Sequence, residues 1–302
     1  MTKTIDPASI STQEMHGYLL AAVAPRPIAF ASTVDKDGAV NLSPFSFFNV
    51  FSANPPIMVF SPARRGTNNT TKHTFENLLE VPETVISVVN HPMVEQMSLA
   101  STEYPRGTNE FVKAGFTQVA SEKVKPPRVG ESPVSFECVV DNIIELGDEG
   151  GAGNLIVSRV VMIHLNDAYL DEAGKLDTEK LDMVGRMGGS WYCRASGEAL
   201  FEIPKPLRTQ GIGVDQLPDA VRNSAVLTGN NLGRLGNLEQ LPSSEEIKAM
   251  REVPAVANIF DAYHSNQDSR AENIHRYAQD LILAGDAESA LKTLLLLEDA
   301  GS

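Results

Sequence analysis

The chain has 302 residues, 42% of them hydrophobic, and a formal net charge of −14. The excess of acid argues against a nucleic-acid partner, because phosphate backbones are bound by a surplus of Lys and Arg. No apolar run reaches the roughly 20 residues needed to span a bilayer, and Met1–Ile10 lacks an export-signal pattern, so a cytoplasmic protein without a membrane partner is expected.

In chain order, Pro27–Val34 reads as a strand, and Asp35-Lys36-Asp37-Gly38 as a hairpin turn in which Gly38 supplies positive φ. Asn41–Asn49 reads as the strand leaving that hairpin. Asn54-Pro55-Pro56 ends the segment, and Pro56–Ser61 is the next apolar run of strand length. Thr71–Glu80 predicts a helix, with Thr as its start signal and Phe75, Leu78 and Leu79 at helical spacing. Thr84–Val89 is a further strand and Met93–Ala100 a short helix. Pro133–Leu146 and Asn154–Leu165 pair as long strands around Gly147, Gly150, Gly151 and Gly153. Successive strands with short helices inserted suit a closed or partly closed antiparallel barrel, so the fold class is mainly β.

After about Pro206 the composition turns helical. Ser243 and Glu246 form a capping box that opens a helix through Arg251. Arg270–Leu297 predicts two amphipathic helices. The first places Ile274, Tyr277, Leu281 and Ala284 on one face, and the second Leu291, Leu294 and Leu295. Gly285 is the expected stop of the first and Asp286 the expected cap of the second. The predicted organisation is a barrel over residues 1–207 and a helical C-terminal appendage over 208–302.

Two stretches carry candidate chemistry. Asn41-Leu42-Ser43-Pro44-Phe45-Ser46-Phe47-Phe48-Asn49 sets small polar residues among aromatics. Such a strip offers backbone N–H groups beside a flat apolar wall, as a flavin ring requires. The alternative is an ordinary barrel strand with a buried Phe cluster. Ser61-Pro62-Ala63-Arg64-Arg65-Gly66, continuing to Lys72-His73-Thr74, joins a strand end to a helix start. Free N–H groups there, with Lys72, Thr74 and one of the two arginines, can bind a phosphate; a solvated basic loop is the alternative. The histidines show no metal-ligand spacing, Gly211-Ile212-Gly213 reads as a loop, and Cys138 and Cys193 read as two reduced thiols. Glu137 and Cys138 lie on a strand that has one face toward the barrel interior.

Pro25-Arg26-Pro27, Ser32-Thr33, Asn41–Asn49, Asn54-Pro55-Pro56 and Lys72-His73-Thr74 with Asn77 resemble the flavin reductase-like proteins with an FMN-binding split β-barrel of Greek-key type. Tyr104-Pro105-Arg106-Gly107 with Glu110-Phe111, and Gly185-Arg186-Met187-Gly188-Gly189 with Tyr192, resemble the flavoredoxin-like branch. The resemblance implies a homodimer with FMN near the interface. It implies that the Ser46, Phe47, Phe48, Asn49 segment holds the ring, with Asn41 and Ser43 also among the cofactor-binding residues. Ser61, Arg64 or Arg65, Lys72, His73 and Thr74 would hold the phosphate, with Asn77 one layer out and Arg186 and Tyr192 near the flavin. The implied function is an oxidoreductase that reduces FMN with NADH or NADPH and passes electrons to an acceptor, such as a redox partner protein. An electron-transfer protein without its own nicotinamide step, or a non-catalytic flavin-binding module, are the alternatives. Short flavin reductases carry a Gly-Asp-His turn where this chain has Gly147-Asp148-Glu149, which favours a tightly held FMN over a diffusing one.

Overall fold

The computed structural model describes residues 1–203 and 210–299. The chain divides into two compact units, Met1–Phe201 and Glu202–Ser302. The boundary expected between residues 207 and 208 lies outside the described residues.

The first unit opens with helix α1 (Thr12–Ala22), whose first turn is closed by a capping box between Ser11 and Glu14. Strands β1 (Ala29–Val34) and β2 (Val40–Phe45) form a hairpin. Asp35 Oδ1 accepts from the N–H of Asp37 and Ala39 at 3.0 and 2.8 Å, and Gly38 takes φ +86°, as the turn residues predict. A second hairpin joins β3 (Phe48–Ala53) to β4 (Pro56–Phe60). Helix α2 (His73–Glu80), strand β5 (Glu83–Val88) and short helices α3 (Val94–Leu99) and α4 (Glu110–Ala114) follow. A small ribbon, β6 (Gln118–Val119) with β7 (Arg128–Val129), precedes the long hairpin of β8 (Val134–Glu145) and β9 (Asn154–Leu165). Helix α5 (Thr178–Leu181) leads into a last hairpin, β10 (Met183–Arg186) with β11 (Tyr192–Ala195).

Seven strands form one antiparallel sheet in the order β2-β1-β5-β8-β9-β4-β3. β2 and β3 are therefore its two opposite edges, yet only Ser46 and Phe47 separate them in sequence. Three residue steps span at most about 11 Å, so the edges must be brought together and the sheet must curl. No ladder joins β2 to β3 among the described residues, so the curl leaves a seam. The Phe45 and Phe60 rings meet inside, 5.4 Å between centroids. The stretch Asn41–Asn49, expected as one strand, is thus two strands on either side of the seam. The reason is non-local: β1 holds β2 while β4 and β9 hold β3 on the far side.

One core fills the curl: Phe45, Met58, Phe60, Ile86, Cys138 and Ile156 from the strands, with Phe75 and Leu78 from α2. A second core on the outer face packs Phe30 and Leu42 against Met97, Phe111 and Phe116. Each fully buried side chain of this size contributes about 1.5–3 kcal/mol. Helix α2 starts later than predicted. Its N-cap is Lys72, whose ammonium cannot accept a capping bond, and Thr71, the expected start, gives its hydroxyl to Glu76 Oε1 at 2.6 Å.

The second unit is helical: α6 (Asp219–Arg222), α7 (Gly229–Gly236), α8 (Ser244–Met250), α9 (Pro254–Ala262), α10 (Gln267–Leu283) and α11 (Ala287–Asp299). The Ser243–Glu246 capping box forms as expected. Its N–H bond, followed by Lys292, holds the Glu246 carboxyl down at about 2. Gly285 has φ +91° and the Asp286 N–H reaches Leu281 O at 2.9 Å, a helix stop that positive φ makes possible. Asp286 Oδ1 caps α11 at Ser289 N. The buried residues of α10 are Ile274, His275, Ala278 and Ile282; of the predicted face, Ile274 is buried, Tyr277 and Leu281 pack partly buried against the cores, and Ala284 is exposed. Among the described residues no helix is long and apolar enough to cross a membrane.

Candidate functional site

The loop from Ser61 to Lys72 leaves β4 at the seam and enters α2. Its start is fixed by Ser61 N donating to Phe47 O at 2.9 Å, which ties the loop to the link between β2 and β3. The β8–β9 turn clasps it from the other side: Arg64 N donates to Ala152 O, Gly151 N to Arg64 O, and Asn69 Nδ2 to Asp148 O. The Gly147-Asp148-Glu149 turn therefore supports the arginine loop.

At the loop's end a small cavity of about 30 Å³ is lined by Asn41 and Ser43 of β2, Arg65, Lys72, His73, Thr74, the Ala100–Tyr104 segment and Glu110. Six of the fifteen predicted site residues thus share one cavity. The Arg65 guanidinium donates to Thr70 Oγ1 at 2.9 Å, to Thr71 O, and through Nε to Glu103 Oε1 at 2.9 Å. Lys72 Nζ reaches the same Glu103 oxygen at 3.3 Å. Those two cations, the Lys72 hydrogen bond foremost, hold the Glu103 carboxyl below its ordinary range. Burial, then Arg65, Arg106 and Lys72, push the His73 ring down, with Glu76 opposing them. His73 is therefore neutral at neutral pH and can offer hydrogen bonds but no charge.

The N–H groups of His73 and Thr74, the first two of α2, find no backbone acceptor among the described residues, and a Lys N-cap has no side-chain oxygen to give them. Free donors at a helix start beside one fixed arginine and one lysine have the chemistry to receive an anion. The wall behind it is rigid. Asn41 Nδ2 donates to Thr74 Oγ1 at 2.9 Å and Asn77 Nδ2 to Thr33 Oγ1 at 3.1 Å, all four residues being buried. Glu110 accepts from Leu42 N at 3.0 Å, and burial raises its carboxyl above the ordinary range.

The remaining predicted residues lie outside this lining. Ser61 Oγ accepts from Asn154 N at 3.0 Å, and Arg64 is spent on Asn69 at 2.7 Å, so both brace the loop. Ser46, Phe47, Phe48 and Asn49 run across the seam. The Ser46 and Phe47 N–H groups meet no backbone acceptor among the described residues. Phe47 is partly exposed and stands edge-on to His16 at 6.3 Å, Phe48 packs on the inner core, and Asn49 Oδ1 accepts from Val50 N. On the β10–β11 hairpin, the Arg186 guanidinium lies 4.7 Å from the Tyr192 ring centre. Glu137 and Cys138 face elsewhere. Glu137 accepts from the N–H of Glu122 and Lys123 and contacts His164 at 2.6 Å, while the buried Cys138 thiol is pushed up to about 12.

Two residues at the site are not among the predicted ones. Arg26 is buried and donates to Leu20 O and Val23 O at 2.6 Å each, to Met187 O at 3.0 Å and toward Ser46 Oγ at 3.5 Å. It joins the end of α1, the last hairpin and the seam. Glu103 is a half-exposed acid that pairs with both cations of the cavity lining; spacing along the chain gives no signal for it.

A curled antiparallel sheet with an open seam beside a helix start is the fold shared by flavin reductase-like proteins with a split barrel. Residues 21–179 match the flavin reductase like domain family, and the chain belongs to it. A relative in Halalkalibacterium halodurans is 38% identical over 208 residues, which is 68% of this chain and 98% of that protein. The nitrilotriacetate monooxygenase component B from Bacillus cereus is 29% identical with a TM-score of 0.62, covering 67% of this chain and 99% of that one. The flavoredoxin of Desulfovibrio vulgaris (Miyazaki F) shares the fold at a TM-score of 0.52 and 21% identity, over 67% of this chain and 97% of that one. These proteins are matched along nearly their whole length, so about a third of this chain has no counterpart in them.

Proposed function

We propose that this chain is an FMN-dependent oxidoreductase that takes electrons from NADH or NADPH and passes them to an acceptor. The observation that carries this reading is the meeting of Arg65, Lys72 and the uncapped start of α2 on one small polar cavity beside the seam. In this reading Arg65, Lys72, His73 and Thr74 hold the phosphate. Asn41, Ser43 and Asn77 keep that wall in place, and Ser61 and Arg64 brace the loop. Ser46, Phe47, Phe48 and Asn49 offer backbone donors and an apolar edge to the ring, with Arg186 and Tyr192 nearby. Bound FMN would supply the redox chemistry, and the chain supplies anchoring, orientation and shielding. The likeness to a monooxygenase component favours a separate protein as the acceptor. The two free cysteines fit a cytoplasmic setting.

The expected result is that purified protein binds FMN, and that anaerobic addition of NADH or NADPH bleaches its absorbance. Protein that does not take up FMN at micromolar concentration refutes the reading. Uptake without bleaching leaves an electron carrier or a non-catalytic flavin-binding module.

The functional unit in this reading is a homodimer. Helix α1 has no buried residue, and the edge strand β3 exposes Val50 and Phe51 at 59% and 69%. Open apolar edges of this kind call for a cover. Light scattering on the eluting protein is expected to give twice the chain mass, and Phe51→Asp to give the monomer. A wild-type monomer at tens of micromolar rules the dimer out.

A further inference from the structure

We infer that Glu103 occupies the place of the ligand's phosphate in the free protein and must yield it when the ligand binds. The inference rests on the phosphate-site reading and adds a residue that sets affinity and selectivity there.

One oxygen of Glu103 accepts from both cations of the cavity, Arg65 Nε at 2.9 Å and Lys72 Nζ at 3.3 Å. A phosphate oxygen anchored at the start of α2 would compete with Glu103 for the same two cations. Both anions cannot keep them, because two like charges held a few ångströms apart repel strongly in partly desolvated surroundings.

Burial decides which group moves. The Arg65 side chain is only 13% exposed and is pinned by Thr70 Oγ1 and Thr71 O. The Glu103 side chain is 56% exposed and has no other polar partner among the described residues. The arginine therefore stays and the carboxylate swings out to water. Glu103 keeps the cations in binding position while the cavity is free. Every anionic ligand must displace it, and a neutral flavin need not. A weakly held monoanion gains too little from the two donors to win the exchange, whereas a phosphomonoester carries nearly two charges and three acceptor oxygens.

The test is calorimetric titration of wild type and Glu103→Gln with FMN, riboflavin and inorganic phosphate. Glutamine keeps the shape and removes the charge. FMN and phosphate are expected to bind about fivefold to tenfold more tightly to the variant, with riboflavin unchanged. FMN binding that is unchanged or weaker in Glu103→Gln overturns the inference, as does a gain shared equally by riboflavin. If that variant does not fold, Glu103→Asp serves, since its shorter arm cannot span both cations. A smaller gain for FMN alone is then expected, and no gain overturns the inference. Wild type that binds FMN no better than riboflavin defeats the phosphate-site reading itself, whatever Glu103 does.

Discussion

Replacing Lys72 and Thr74 together by alanine is expected to weaken FMN binding by about a hundredfold or more, while riboflavin binding changes by less than about twofold. Lys72 contributes a full charge at the mouth of the cavity, and Thr74 stands on the first turn of α2, where N–H donors are free. A hydrogen bond to a charged group contributes about 1.5–3 kcal/mol, so two such groups give roughly 3–5 kcal/mol even if they are not fully additive. Riboflavin has the same ring and no phosphate, so it reports only on the seam. Thr74 is also the acceptor for Asn41 Nδ2, and its loss leaves that buried amide unpaired at about 1–3 kcal/mol of stability. Lys72→Met alone, which touches no core contact, separates the two effects. Equal losses for both flavins would place the phosphate elsewhere.

The second large effect concerns Arg26. Arg26→Ala is expected to lower the stability of the first unit by about 3 kcal/mol and its melting transition by roughly 6–12 °C. The guanidinium serves three carbonyls from two segments far apart in sequence, Leu20 and Val23 on one side and Met187 on the other. Alanine leaves these acceptors without their shared donor and removes a buried side chain that ties the two segments together. Lysine is not expected to rescue the fold, because a single ammonium cannot reproduce a planar fork aimed at separate oxygens. Thermal unfolding followed by circular dichroism checks both variants, and an Arg26→Lys protein as stable as wild type would show that the fork is dispensable. Among the described residues Arg26 is also the only side chain that bonds Ser46, so FMN and riboflavin should both bind more weakly to Arg26→Ala. That pattern is opposite to the one expected for Lys72 and Thr74.

The long β8 and β9 strands are legible in the sequence because their apolar runs extend over many residues with turn glycines between them, and the Ser243 capping box because it is a local chemical pattern. Asn41–Asn49 reads as one strand for the converse reason. Nothing between Asn41 and Asn49 encodes that β2 pairs with β1 and β3 with β4, and the crossing at Ser46-Phe47 follows only from the whole strand order. Helix α1 gives no periodic signal because it has no buried stripe, and it is not among the elements read from the sequence. At the site, residues acting through local chemistry, Lys72 to Thr74 at a helix start, are readable. Arg26 and Glu103 act on partners supplied by the fold, so their types alone carry no message.

The strand order also says something about how the chain must be made. β4 has its outer neighbour β3 at once, but on its other side Ile57 pairs with Arg159, which is synthesised far later. At ribosomal speeds of about 5–20 residues per second, the open flank of the β3–β4 ribbon waits on the order of 5–20 s for its partner. During that interval a strand with the sequence Pro-Ile-Met-Val-Phe stands bare, a ready template for the wrong neighbour. A nascent chain of this topology depends on being shielded until its central hairpin emerges, and its yield in the cell should respond to chaperone supply more than its final stability alone would suggest.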